Sequence, residues 1–249
     1  MLTILQAGFH YSETEGYGYD GSYTLAIILM VAVAVVGMIV QMRLKAVTRR
    51  YSEKPSPRGM TGREIAEKML HDNGIYNVAV THVKGHLTDH YNPTTMTINL
   101  SDDVYNSATI TAVAVAAHEC GHAVQHAEGY APIQLRSQLV PIVNLSSKLA
   151  GWVILLGIVM MSFTNSATLC WVGIALVAVS ALFAVVTLPV EYNASQRAIA
   201  WLESSDVLED NELDGAHEAL RWAARTYLVS ALSAIVTILY YVALIKNRR

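Results

Sequence analysis

The stretch from Tyr23 to Val40, YTLAIILMVAVAVVGMIV, contains no charged residue. A hydrocarbon core about 30 Å thick is crossed by roughly 20 mostly apolar residues in a helix rising about 1.5 Å per residue. A chain with such a run is built around a bilayer. Similar runs occupy Leu149 to Phe163 and Ala167 to Val190, parted only by Thr164, Asn165 and Ser166 in the manner of a transmembrane hairpin. A fourth covers Thr226 to Ile245. The first hairpin run is short, so its helix is expected to begin earlier, past Lys148, with Pro141 bending the approach. Only 15% of residues are charged, against roughly 25% in an average soluble domain. A cleaved signal peptide fits the first run poorly, because Glu13, Glu15 and Asp20 precede it and basic residues follow it. The net charge of −3 offers no basic footprint for nucleic acid, and two cysteines make no disulfide framework.

Lys and Arg near the ends of spans set orientation. None precedes Tyr23, whereas Arg43, Lys45, Arg49, Arg50, Lys54 and Arg58 follow the first run. The N-terminus is therefore expected outside and the following segment in the cytoplasm. Lys246, Arg248 and Arg249 oppose a fourth crossing in that sense, which leaves a re-entrant or interfacial course as the alternative for the last run.

Between the first run and the hairpin lies a polar stretch with its own signals. Arg43 to Met60, with Pro55 and Pro57, reads as a basic linker against anionic lipid or a plain stop-transfer flank. Thr61 and Glu64 match a capping box that starts a helix, and Gly74 is placed to end it. Tyr76 to Val83 and Thr95 to Leu100 read as short strands. Ser101, Asp102 and Asp103 are good helix-start residues, and an Ala- and Val-rich helix is expected from about Tyr105 until Gly129 and Pro132.

That helix carries His118-Glu119-Cys120-Gly121-His122, an HExxH pattern. Residues four apart share a helical face, so both imidazoles reach one ion at about 2.0–2.1 Å, while Glu119 stands one position round, beside water held at that ion. An apolar helix with these groups incurs a desolvation cost unless something binds them. A third ligand is needed. His126 continues the same spacing, but three histidines at successive fours on a straight helix spread over about 12 Å, so His126 reads as a supporting or unrelated residue. Glu191 lies beyond two apolar runs, which return the chain to the face it left. A carboxylate there can equally mark the end of a span or cap the following helix.

The segments AAHECGHAVQH, DHYNP, INLSDDVY and LPVEYNASQRA resemble the YugP-type neutral zinc membrane metallopeptidases of bacteria, over nearly all of the chain after the first run. More distantly, HExxH followed by two spans and a glutamate is similar to the HtpX-like and CAAX prenyl membrane endopeptidases. The resemblance implies one Zn2+ per chain held by His118, His122 and Glu191, with Glu119 as the catalytic carboxylate. The distant relatives carry an acid four residues after the ligand glutamate, supporting a zinc histidine. Here Ser195 stands at that position. Asn193 and Asp89 are candidates to support the histidines, and His126, His90 and Tyr192 are candidates to face the oxyanion.

The expected protein is a mainly α integral membrane protein with about four transmembrane helices and a small zincin-like α+β metallopeptidase domain. Its divisions are an extracytoplasmic segment 1–22, helix 23–40, basic linker 41–60, HExxH domain 61–135, hairpin 136–190, third-ligand segment 191–225, and last helix and tail 226–249. It is expected in the cell membrane, with a cytoplasmic catalytic face and a peptide or membrane-protein substrate. Thr95 to Leu100 is a candidate edge strand for an extended substrate. Cys120 and Cys170 read as packing. The acidic cluster from Asp206 to Asp214 reads as a solvated turn, its spacing unlike an EF-hand. A metal-binding membrane scaffold without turnover is the alternative; a metal transporter is disfavoured by spans nearly free of ionisable residues.

Overall fold

The computed structural model describes residues 21–164 and 166–247. Residues 1–20 of the expected extracytoplasmic segment 1–22, Asn165 and the last two residues lie outside that description. Six helices and three strands follow one another as α1 (Gly21–Ser52), α2 (Gly62–Asp72), β1 (Ala79–His82), β2 (His90–Asn92), β3 (Thr97–Leu100), α3 (Ile110–Ala127), α4 (Ala131–Thr164), α5 (Thr168–Ser204) and α6 (Asp210–Asn247). Four of them, α1, α4, α5 and α6, are long and apolar enough to cross a membrane. The protein is thus a mainly α multi-pass membrane protein carrying a small α+β domain.

α1 does not stop where its apolar run stops. It continues through Arg43, Lys45, Arg49 and Arg50, most of the stretch expected as linker, because no proline intervenes before Pro55 and because Val47 and Tyr51 are buried. Tyr51 packs on Gly215, where an added Cβ would lie 2.6 Å from its ring, and its hydroxyl donates to Glu218 at 3.1 Å. At the opposite end Tyr23 meets Tyr240 with ring centroids 5.8 Å apart. α1 and α6 therefore run antiparallel, and the last run is part of one uninterrupted helix long and apolar enough to cross a membrane.

α4 and α5 form the expected hairpin. Glycines bring them close, since a Cβ on Gly157 would meet the Cys170 backbone at 2.7 Å and one on Gly173 would meet Ile154 at 2.4 Å, the small-residue packing typical of membrane helices. Pro141 and Pro189 are accommodated inside continuous helices.

In the small domain the Thr61 capping box forms as expected: the Thr61 hydroxyl accepts from the Glu64 amide and the Thr61 amide donates to Glu64 Oε2 at 2.8 Å. Gly74 ends α2 with φ of +70°. The sheet order is β1-β3-β2, with β1 parallel and β2 antiparallel to β3. Thr97–Leu100 is consequently the central strand, not an edge, and cannot add a substrate strand. The free edge nearest α3 belongs to β2, whose three residues are too few for an alternating pattern to show. Ile98 and Leu100 point into a core shared with Ile65, Met69, Ile110 and Val113.

α3 begins at Ile110, capped by Thr109, rather than near Tyr105. The Ser101-Asp102-Asp103 group caps no helix. It is spent on the β1–β2 loop: Asp102 accepts from the Gly85 amide at 2.9 Å and meets His82 at 2.7 Å, and Asp103 pairs with His86.

Candidate metal centre and its surroundings

α3 is buried almost throughout, lined with Ala112, Ala116, Ala117, Cys120 and Ala123 against its neighbours. Its approach to α5 is closest at Gly121, where a Cβ would sit 2.5 Å from the Ala194 carbonyl oxygen. That approach sets Glu191, 1% exposed, against the two histidines. Glu191 Oε2 lies 3.2 Å from His118 Nε2 and 3.5 Å from His122 Nε2, and the three ligand atoms fall within 4.8 Å of one another. Ligand atoms about 3.3 Å apart are what a tetrahedral ion with bonds of about 2.0–2.1 Å requires, and two imidazoles with one carboxylate is a common donor set for catalytic zinc. The residues present fit zinc.

The outer nitrogens of both rings are occupied. His118 Nδ1 and Ser195 Oγ share a hydrogen bond of 3.1 Å, at the position where the distant relatives carry an acid. His122 Nδ1 donates to Gln125 Oε1 at 3.1 Å. Gln125 is fully buried, and its amide nitrogen donates to the Val190 carbonyl at 2.8 Å and to Asn193 Oδ1 at 2.9 Å. With its amide so committed, only its oxygen faces His122, which fixes the proton on Nδ1 and leaves the lone pair of Nε2 facing Glu191. Asn193 thus supports the centre through Gln125, and Arg197 Nε in turn donates to it at 2.8 Å.

Arg136 of α4 binds Glu191 Oε1 at 2.7 Å. One carboxylate oxygen is thereby spent and Oε2 alone faces the histidines. Burial pushes the His118 imidazole down, and the Glu191 and Glu119 carboxylates push it back above its ordinary value. Glu119, 8% exposed, accepts the Tyr91 backbone N–H at 2.9 Å from the free edge of β2. The Tyr91 hydroxyl meets His126 Nδ1 at 2.7 Å.

Glu119, His118, His122 and Glu191 line a cleft of about 330 Å³ together with Asp89, His90, Arg136 and Tyr227. Asp89 lines it from the outside, with both carboxylate oxygens held by Ser101 at 2.7 and 2.9 Å, away from the histidines. His90 Nδ1 donates to the Thr88 carbonyl at 2.7 Å. Tyr192 is 59% exposed and belongs to a groove on the other side of α5. Sequence reasoning missed Gln125, Arg136 and Tyr227; only Gln125 carried a signal, lying three residues past His122.

The family profile described as "Putative neutral zinc metallopeptidase" matches residues 26–246. The chain belongs to this family of zinc metallopeptidases. It is 38% identical over 225 residues to "Putative membrane protease YugP" of Bacillus subtilis (strain 168), covering 90% of this chain and 98% of that relative. No solved structure matches. The family membership agrees with the resemblance read from the HExxH and VEYNAS segments, and the multi-pass architecture agrees with the relative's description as a membrane protease.

Proposed function

We propose that this metallopeptidase hydrolyses peptide bonds at a single zinc held by His118 Nε2, His122 Nε2 and Glu191 Oε2, with Glu119 as general base. The observation that carries the reading is the meeting of Glu191 with both HExxH histidines beside a buried, hydrogen-bonded Glu119. Zinc bound there would supply Lewis acidity, polarising the scissile carbonyl and acidifying water. Glu119 takes the proton of the attacking water on its free oxygen and returns it to the leaving amine. The Tyr91 N–H holds the other oxygen and fixes the carboxylate's direction. Tyr227 lines the cleft and offers its hydroxyl to the oxyanion; His90 spends its Nδ1 hydrogen on the Thr88 carbonyl, and His126 is engaged with Tyr91. The substrate is a peptide or a membrane-protein segment lying along the cleft between β2 and α4.

The basic residues that follow the first apolar run support a cytoplasmic catalytic face in the cell membrane. With that face cytoplasmic, the antiparallel course of α1 and α6 supports an outside position for the end of α6. Glu119→Gln tests the chemistry, using an unfolded casein-type substrate and the detergent-purified full chain. The variant retains zinc and loses roughly 10²–10⁴-fold in hydrolysis, the usual contribution of a general base. Wild-type rates in that variant contradict the mechanism, and absence of turnover in a fully zinc-loaded wild type favours the scaffold alternative.

A further inference from the structure

A groove outside the metal centre runs between α5 and α6 and encloses about 790 Å³. On α6 it is walled by His217, Leu220, Arg221, Ala224, Arg225 and Leu228, spaced as one helical stripe, and α5 contributes a matching stripe through Leu188, Ile199 and Glu203. The stripes change character along the groove. Leu188 and Leu228 lie on the apolar spans, and Leu228 is 45% exposed, so this end opens where acyl chains run. Arg221 and Arg225 stand just before the apolar run of α6, at the level where the bilayer interface begins, and both are exposed.

Among the described residues neither arginine has a carboxylate within 4 Å, whereas Glu203, the acid of the groove, is paired with His217 at 3.2 Å. Arg225 lies over the Trp222 ring at 4.2 Å, which fixes its guanidinium plane and leaves its N–H edge for an anion. Tryptophan is a residue of the headgroup level. The Tyr51–Glu218 contact puts this end of α6 on the membrane face that carries the catalytic domain.

We propose that the α5–α6 groove is a binding site for one anionic glycerophospholipid, its phosphate on Arg221 and Arg225 and an acyl chain along Leu188 and Leu228. Paired guanidiniums match phosphate oxygens in charge and geometry, and the apolar wall below them continues into the bilayer, which a soluble anion would leave unused. Arg221 and Arg225 lie outside the metal centre, although Ser195, the partner of His118, also lines the groove, and lipid binding is read without a protease assay.

The test is native mass spectrometry of the full zinc-loaded chain in detergent, titrated with phosphatidylglycerol, phosphatidylcholine or inorganic phosphate. The wild type retains one phosphatidylglycerol and binds phosphatidylcholine at least about tenfold more weakly, a discrimination of the size two charge-assisted contacts give. Arg221→Gln/Arg225→Gln loses that retention while keeping helical circular dichroism and zinc content, and Arg49→Gln/Arg50→Gln, on α1, keeps it. Equal retention of both lipids, or equal loss in the two double variants, overturns the proposal in favour of general surface attraction. Displacement by millimolar phosphate alone reduces the site to an anion site and also overturns it. Disulfide-linked dimers from Leu228→Cys that block lipid retention assign the groove to a second copy instead.

Discussion

At the scale of single residues, the centre depends on side chains that touch no substrate. Gln125 holds His122 and the backbone of α5 at once, so Gln125→Ala removes a histidine's partner and takes one hydrogen bond each from the Val190 carbonyl and Asn193. Loss of such a partner lowers metal affinity about 10–100-fold, and the lost hydrogen bonds cost about 1–3 kcal/mol. Competition against a calibrated chelator and thermal unfolding read the two effects separately; an unchanged zinc affinity would show that His122 needs no support. Ser195→Ala lowers affinity in the same way through His118, and Ser195→Asp is tolerated there. Protons compete with the metal for His118, whose imidazole is held above its ordinary value. The imidazole must be neutral to bind, so zinc affinity is highest above the raised imidazole pKa and falls as the pH drops below it. An affinity for zinc, measured against a calibrated chelator, that does not fall on acidification contradicts this. The HExxH residues were legible because helical spacing alone puts them on one face. Arg136 and Tyr227 were not, because they reach Glu191 from α4 and α6, and no local pattern encodes a contact between distant helices.

At the scale of elements, the decisive contact is α3 against α5. Gly121 is the small residue that lets the helices close, and its side-chain hydrogen faces the Ala194 carbonyl at a distance no Cβ tolerates. Gly121→Ala therefore forces α5 outward, carrying Glu191 with it. Overpacking of this kind costs about 1–3 kcal/mol, and loss of zinc with helical content retained is the signature expected from elemental analysis and circular dichroism. Bound zinc at wild-type level in that variant would show that Glu191 reaches the histidines without the close approach. Burial also governs Cys120: it is fully buried, and desolvation pushes its thiol up, in keeping with its reading as packing. The helices and the capping box were legible because their signals are local and periodic. β2 was not, with three residues ordered by pairing to β3 and by Glu119 accepting from Tyr91. The start of α3 was misplaced because Asp102 and Asp103 look like caps, yet the β1–β2 loop engages them first.

For the whole molecule, four antiparallel crossings bring the two halves of the metal centre to one face, one half from the domain between α1 and α4, the other from within α5, after its apolar run. Uninterrupted apolar runs made the crossings readable, whereas the basic C-terminal tail left the course of α6 open, because its packing along α1 is a contact between distant helices that no local pattern encodes. A thiol reagent confined to the outside of intact cells labels Ser166→Cys and Lys246→Cys and spares Tyr76→Cys, which is exposed on the small domain; labelling of Lys246→Cys together with Tyr76→Cys from the inner face only would contradict four crossings. The claim on which everything rests is that α5 completes the site begun on α3. The most direct test is the zinc content of the detergent-purified full chain beside Glu191→Ala and Glu191→Gln, after mild chelator washing and with helical content checked. Close to one zinc per wild-type chain and loss from both variants is the predicted result, and zinc retained at wild-type level without Glu191 would contradict it.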